Sequence, residues 1–154
     1  MNRDVACMQV ALNLATRALK RGEIPVGAVI VTPYGEIIGK GYNLVEKHQC
    51  QDQHAEVRAI RQATKNLRNW RLDQCTIYVT LEPCMMCMSL IALSKIERVV
   101  YGAQSPLFGY HLDKEGLLTL YTRQIKNITE GVLAPEAAAL LKEFFMPKRE
   151  KKHE

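Results

Sequence analysis

The sequence predicts an α/β fold in which helices cover both faces of one mixed β-sheet. Two observations lead to this prediction. An amphipathic helix is followed by a hairpin of two short apolar strands, and strand–helix–strand alternation follows from residue 75 onward. Hairpin strands are antiparallel, whereas strands joined through a helix pair in parallel with right-handed crossovers. The same sheet must therefore contain both kinds of pairing.

The individual elements follow from periodicity and from turn residues. Apolar residues recur at three- and four-residue spacing from 5 to 19, which predicts a helix that ends near Gly22. The segments 26–31 and 37–42 are the strands of the hairpin, around a turn that contains Pro33 and Gly35. The remaining predicted elements are a polar loop at 43–53, helices at 54–66, 83–94 and 135–145, strands at 75–80, 98–101 and 124–129, and an irregular segment at 105–116.

Length and composition indicate a single globular domain without a disulfide scaffold. The chain has 154 residues, 47% of them hydrophobic and 24% charged, and its five cysteines are an odd number. No apolar run approaches the roughly 18 residues that a membrane span needs, and the first residues do not resemble a signal peptide. We therefore expect a soluble, cytoplasmic protein that has no membrane partner.

The net charge of +5 permits a polyanionic partner but does not establish one. Four basic residues lie within the last eight positions, so we divide the chain into a domain at 1–146 and a basic tail at 147–154. The tail could equally be a solvated, frayed end. Its basic residues are Lys148, Arg149, Lys151 and Lys152.

Two short motifs carry the chemistry of the sequence: His54-Ala55-Glu56 and Pro83-Cys84-Met85-Met86-Cys87. In this order they match the H-x-E…P-C-x-x-C signature of zinc-dependent nucleobase deaminases. Cys84 and Cys87 are three residues apart in a predicted helix, so their thiols share a face, and the helix dipole favours thiolates in a first turn. Pro83 suits a helix start.

The number of ligands predicts what the metal does. His54, Cys84 and Cys87 make three ligands, and a catalytic zinc keeps its fourth position open for water. We expect one zinc ion per subunit, with Glu56 as the catalytic proton carrier. A structural zinc site would need a fourth ligand, for which Cys50 and His48 are candidates. A redox pair of cysteines would leave the His-x-Glu motif unexplained.

The motifs also resemble those of the bacterial tRNA-specific adenosine deaminases, in the cytidine deaminase superfamily. The resemblance covers residues 5–149 and depends on 23–29, 41–43, 54–56, 69–72, 80–87, 98–102 and 128–133. It implies a three-layer α/β/α cytidine deaminase-like fold with a mixed five-stranded sheet. It also implies a homodimer, a zinc-dependent nucleobase deaminase domain at 1–146, and no nucleotide cofactor. The implied reaction converts adenosine to inosine at the wobble position of a tRNA anticodon loop.

Matching positions suggest substrate contacts. Asn43 would hydrogen-bond the flipped base, Val26 would pack on its face, and Pro83 would also belong to the substrate site. The end of the last helix would touch the anticodon loop through Phe144, Phe145, Lys148 and Arg149.

Two segments depart from the family pattern. Residues 50–53 read Cys-Gln-Asp-Gln where the family usually has Asp-Pro-Thr-Ala. Residues 104–111 replace a charged loop with a segment that contains Phe108, Tyr110 and His111. These rings could stack on nucleotides that flank the target, or they could pack the loop against the core or a dimer partner.

Three functions are therefore open. The first is a tRNA adenosine deaminase, and the second is a deaminase of a free base or nucleotide of the cytosine or guanine type. The third is a non-catalytic, zinc-stabilised interaction protein, although such a protein would have no use for Glu56.

Overall fold

The computed structural model describes residues 2–116 and 123–153, and it gives the backbone alone for 147–153. Its helices are α1 (Arg3–Lys20), α2 (Val45–His48), α3 (Ala55–Leu67), α4 (Met85–Leu93) and α5 (Ala134–His153). Its strands are β1 (Gly27–Val31), β2 (Ile37–Tyr42), β3 (Thr76–Leu81), β4 (Arg98–Ala103) and β5 (Asn127–Thr129). No helix in the described residues is both long and apolar enough to cross a membrane.

The described strands form one mixed five-stranded sheet in the order β2-β1-β3-β4-β5. Strand β1 runs antiparallel to both of its neighbours, and β3, β4 and β5 are parallel to one another. The predicted change from hairpin pairing to parallel pairing is confirmed. The carboxyl ends of β3 and β4 consequently lie side by side, which is where ligands bind in open α/β sheets.

Helices cover both faces of the sheet, as predicted. Val29 and Val31 of β1 pack with α1 in one apolar cluster, while Ala28 and Ile30 pack with α3 and α4 in another. Alternate residues of a strand point to opposite faces, so α1 and the pair α3–α4 lie on opposite sides. Helix α5 contacts β4 and α1 and completes the first layer.

Helix α3 lies directly on the backbone of β2. A Cβ atom added at Gly41 would overlap the carbonyl oxygen of Ala55 and lie 2.7 Å from the amide nitrogen of Ala59. A Cβ at Gly39 would likewise overlap the carbonyl oxygen of Ala59. The two glycines therefore set the position of the helix that begins at residue 55.

A polar cluster ties the start of α1 to the middle strands. The Asp4 carboxylate accepts hydrogen bonds of 2.7 and 2.8 Å from the Arg98 guanidinium and one of 2.8 Å from the Tyr78 hydroxyl. The bond from Arg98 is the main cause of a lowered pKa at Asp4, and burial raises the pKa of Tyr78. The cluster joins α1 to β3 and β4 at the opposite end of the sheet from Pro83.

Several predicted elements and boundaries were wrong, among them the start of β5, which is Asn127 and not residue 124. The segment 43–53 contains a helical turn, α2, because the buried Glu23 carboxylate accepts hydrogen bonds from the Glu46 and Lys47 amides. Helix α4 begins at Met85, two residues after Pro83. Helix α5 continues to His153 and not to 145, because residues 148–152 are strong helix formers. The tail therefore extends the last helix.

We expect Gly41→Ala to destabilise the protein, because the new methyl group would press against the backbone of α3. Overpacking of this kind costs about 1–3 kcal/mol, which lowers the melting temperature of a chain this long by roughly 5 °C. The measurement is thermal unfolding by circular dichroism. Lys40→Ala is the matched control on the same strand, because Lys40 is exposed. Equal melting temperatures for the two variants would show that α3 does not rest on β2.

Candidate active site

The two sequence motifs converge because each lies at the start of a helix. His54 is the N-cap of α3, and Cys84 is the N-cap of α4; both have extended backbone angles. Cys87 follows in the first turn of α4 and is fully buried. The beginnings of α3 and α4 lie together beside the carboxyl end of β3, so one His and two Cys side chains meet at one point.

The spacing of the three side chains fits a tetrahedral zinc ion. His54 Nδ1 lies 3.5 Å from Cys87 Sγ and 3.8 Å from Cys84 Sγ, and all three ligand atoms lie within 4.8 Å of one another. Zn–S bonds of about 2.3 Å and Zn–N bonds of about 2.0–2.1 Å place tetrahedral sulfur and nitrogen ligands roughly 3.5 Å apart. The donor set and its geometry therefore suit zinc.

A fourth protein ligand is not present among the described residues. The group that could hold a metal consists of His54, Cys84 and Cys87 alone in this part of the chain. The Cys50 thiol donates to the Asp52 carboxylate at 3.0 Å, and His48 lies on α2. The arrangement is that of an open site and not of a closed structural site.

The pKa of the Cys84 thiol favours the binding of a cation by Cys84 and Cys87. A hydrogen bond from the Cys87 thiol lowers the pKa of Cys84 to about 4, so Cys84 is a thiolate at neutral pH. The same bond raises the pKa of Cys87, which keeps the proton that the two thiols share. The hydrogen bond with Cys84 also raises the pKa of His54. A metal ligand must be deprotonated, so metal binding requires that Cys87 lose its proton and that His54 be neutral, and it weakens as pH falls.

A cavity of about 420 Å³ lies beside His54 and Cys84. Its volume is within the range of small-molecule sites. His54, Cys84 and Glu56 border it together with Val26 and Asn43. Glu56 is only 4% exposed, and this burial raises the pKa of its carboxyl group. The Glu56 carboxyl group lies beside the Cys87 thiol, and therefore next to the group of His54, Cys84 and Cys87.

Asn43 is held in place by the backbone around it. Its side-chain amide donates to the Ile24 carbonyl at 3.3 Å, and its oxygen accepts from the Val45 amide at 3.3 Å. An asparagine amide has two N–H groups, so one remains for a ligand in the cavity. Asn43 is therefore a fixed polar group on an otherwise largely apolar wall.

The loop at 104–111 is fastened to the metal-ligand segment by Glu82. The fully buried Glu82 carboxylate accepts hydrogen bonds from the Ser105 and His111 amides and from His111 Nδ1, at 2.7–3.0 Å. The backbone at Gly109 packs so tightly on this carboxylate that a Cβ would overlap it. His111 is thus an anchor of the loop.

The other two rings of this loop have different surroundings. Tyr110 is half-buried, packs against the core and makes an edge-to-face contact with Tyr101. Phe108 is 73% exposed and borders the cavity. Of the three rings in this segment, Phe108 is therefore the one placed to meet a substrate.

Pro83 and Phe145, two further residues singled out by the sequence, do not line the cavity. Pro83 is buried, and its carbonyl accepts a hydrogen bond from the Tyr110 amide at 2.9 Å. Phe145 is half-exposed on α5 and packs edge-to-face on Phe144. The side chains of Lys148 and Arg149 are outside the described part of the structure.

Sequence reasoning did not single out several residues that border the cavity. Glu82 and Ser105 are buried there, and Ile24, Gln51 and Met86 lie around them. Glu82 directly precedes Pro83 and Cys84, so its place in the motif was a usable signal. The others carry no chemical signature, and only the fold brings them to the site.

Comparisons with known proteins agree with this geometry. Residues 1–103 match the model of the cytidine and deoxycytidylate deaminase zinc-binding region. The chain is 41% identical over 154 residues to a Bacillus subtilis (strain 168) protein named tRNA-specific adenosine deaminase, covering 99% of this chain and 94% of that protein.

Two solved structures share the fold. One comes from work on A-to-I editing by tRNA:A34 deaminases at the wobble position of transfer RNA. It has a TM-score of 0.81 and 34% identity, and the match covers 88% of this chain and 99% of that one. The other is a guanine deaminase from Nitrosomonas europaea, with a TM-score of 0.81, 25% identity and coverage of 91% and 83%.

We expect Cys84→Ser to remove the metal from the purified protein, because a serine hydroxyl does not replace a thiolate as a zinc ligand. The measurement is elemental analysis by mass spectrometry. Cys50→Ser is the control and should retain the metal, because the Cys50 thiol is engaged by Asp52. Loss of metal in the Cys50 variant would instead indicate a closed site with four protein ligands.

Proposed function

Since the chain belongs to the cytidine and deoxycytidylate deaminase family, we propose that it deaminates adenosine to inosine in transfer RNA, at the wobble position of the anticodon. It is a hydrolase: water is consumed, the C–N bond to the amino group is broken, and ammonia leaves. The observation that carries this function is the buried carboxyl group of Glu56 beside an open three-ligand metal site on the wall of a cavity.

We assign His54, Cys84 and Cys87 as the ligands of one zinc ion per chain. Their donor types and their spacing support this assignment. When bound, zinc would act as a Lewis acid and lower the pKa of water to about 7, so that hydrolysis can proceed at neutral pH.

Glu56 moves the protons of the reaction. Its carboxylate can accept one proton from the attacking water and pass it to the ring nitrogen, and it can then carry the second proton of that water to the leaving amine. Burial raises its pKa, so the carboxyl group can hold a proton between these transfers. Because Glu56 is only 4% exposed, bulk water has little access to this proton.

The cavity selects a base that has been rotated out of its stack. Asn43 offers a fixed N–H group to the base, and Val26 provides an apolar surface for its face. We assign Phe108 to the nucleotide next to the target, since its exposed ring lies at the rim and aromatic rings stack well on unpaired bases.

A tRNA partner agrees with the charge of the chain and with the composition of its last helix. We assign Phe145, Lys148 and Arg149 to the anticodon loop, because aromatic and basic residues there would combine stacking with phosphate contacts. We also propose that the enzyme acts in the cytoplasm as a homodimer. The exposed Met85, Met86 and Leu93 on α4 offer an apolar surface for a second copy.

A free base is the second candidate, since the guanine deaminase noted above shares the fold. The deciding experiment incubates the purified protein with total tRNA, and separately with guanine, cytosine and adenosine. Inosine in digested tRNA is measured by mass spectrometry, and ammonia is measured in every reaction. Inosine in tRNA alone supports the proposal. Ammonia from guanine or cytosine alone would replace it with the free-base activity, and no product anywhere would favour a non-catalytic zinc protein.

Glu56→Gln should keep the fold and the zinc while nearly abolishing turnover. Glutamine has the same shape but cannot carry the proton. General acid–base groups contribute about 100- to 10,000-fold to rate, and this one would serve several transfers. Inosine formation under single-turnover conditions measures the effect, with zinc content and melting temperature as controls. A variant that keeps more than about a tenth of the rate would contradict the role of Glu56.

Phe108→Ala should lower kcat/KM for tRNA by about ten-fold, because a stacked base is worth roughly 1–3 kcal/mol. The melting temperature should stay unchanged, since the ring is mostly exposed. The matched control is Leu107→Ala, which removes an equally exposed neighbour that does not border the cavity. If the two variants lose the same activity, Phe108 does not contact RNA.

A further inference from the structure

A second, smaller cavity lies at the outer edge of the sheet, where β2 meets α3. It has a volume of about 210 Å³ and is lined by Lys40, Arg58, Arg61 and Gln62. The Gln62 side chain accepts a hydrogen bond of 2.7 Å from the Lys40 amide, which joins the strand to the helix. We call this cavity the basic cleft.

No acidic side chain among the described residues forms an ion pair with a cation of the basic cleft. In the described part of the chain, arginine and lysine form ion pairs elsewhere, at Arg71–Asp73, Arg98–Asp4 and Lys126–Glu97. Lys40, Arg58 and Arg61 take part in none of the described ion pairs. Asp52 lies near enough to Arg61 for a Coulombic interaction, but its carboxylate accepts hydrogen bonds from Cys50 and Gln53.

Arg58 is held in the cleft with part of its hydrogen-bonding capacity unused. One end of its guanidinium donates to the Gln53 side chain at 2.7 Å. Its Nε atom is shielded from solvent and has no partner. A buried N–H group without an acceptor is unfavourable, so an anionic acceptor beside the Arg58 guanidinium would relieve part of that cost. Gln53 belongs to the segment that departs from the family pattern.

The basic cleft continues the active site along one side of α3. Arg58 follows His54 by four residues and Arg61 follows it by seven, so the three lie on neighbouring positions of one helix face. At 1.5 Å per residue, Arg58 and Arg61 lie about 6 and 10 Å along the helix from His54. Phosphates along one strand of a duplex are spaced about 3.4 Å along the axis. This distance therefore corresponds to a few nucleotides.

We propose that the basic cleft binds the phosphodiester backbone of the RNA substrate a few nucleotides from the target adenosine. The inference depends on the proposed function, because only a polynucleotide would occupy the cavity above the metal site and the cleft together. Two guanidinium groups offer the forked geometry that phosphate oxygens accept, and Lys40 adds a third cation. The cleft would fix the register of the RNA and leave the reading of the base to the cavity.

The test compares two double variants that each lose one arginine and one lysine. Lys40→Gln/Arg61→Gln removes two of the three positive charges of the cleft. Arg71→Gln/Lys126→Gln is the control, because these residues precede β3 and β5 at the opposite end of the sheet from Pro83. All four side chains are exposed, so both proteins should fold. Two measurements are made between 50 and 300 mM salt: tRNA binding by fluorescence anisotropy, and inosine formation.

We expect the cleft variant to bind tRNA about ten-fold more weakly at physiological salt. Its KM should rise by the same factor, with kcat within two-fold of the parent. Its plot of log affinity against log salt should be shallower by about 1.5, since each lost phosphate contact removes roughly 0.7–0.9. Equal affinities and slopes for the two double variants would overturn the proposal, as would a fall in kcat without a change in KM.

Failure of the proposed function gives a different result. In that case the parent protein itself forms no inosine in tRNA, whatever the state of the cleft. Because binding is measured independently of turnover, a salt-dependent loss of tRNA affinity in the cleft variant would still support the cleft as an RNA-backbone site.

Discussion

The metal site depends on the contact between the starts of two helices. An N-cap residue has extended backbone angles, so its side chain can point past the end of the helix and away from its flank. His54 and Cys84 both occupy this position, on α3 and on α4. Their meeting requires that α3 lie closely on β2, which Gly39 and Gly41 permit. The chemistry is thus coupled to two glycines on a neighbouring strand.

Buried glutamates organise the rim of the site. Glu23 holds α2 and, with it, the segment that contains Asn43. Glu82 holds the loop that contains Phe108, through the amides of Ser105 and His111. Both act on backbone amides, which are strong donors to a carboxylate. A loop fixed in this way can present an exposed ring at small entropic cost on binding.

The sequence predicted the metal site more fully than its surroundings, and the reason is physical. His54, Glu56, Cys84 and Cys87 have side chains whose chemistry is specific and whose spacing is local, so two short motifs were sufficient. The mixed sheet could also be predicted, because hydrophobic periodicity identified its strands and the helices between them. Helix α2 was missed because its capping carboxylate, Glu23, lies more than twenty residues away. The different surroundings of Phe108, Tyr110 and His111 could not be predicted from the sequence either. They depend on contacts with Glu82 and Tyr101, which are distant in the chain.

The charged side chains near the cavity are divided between the interior of the molecule and its surface. Three glutamates are buried near the cavity: Glu23, Glu56 and Glu82. The carboxylates of Glu23 and Glu82 are hydrogen-bonded to backbone amides, and Glu56 is the group to which we assign proton transfer. Cations such as Arg61 and Lys40 remain exposed at the surface. The exposed cations and these buried glutamates therefore lie in different parts of the molecule. In the function that we propose, the exposed cations would attract RNA to the outer surface while Glu56 acts on the base inside the cavity.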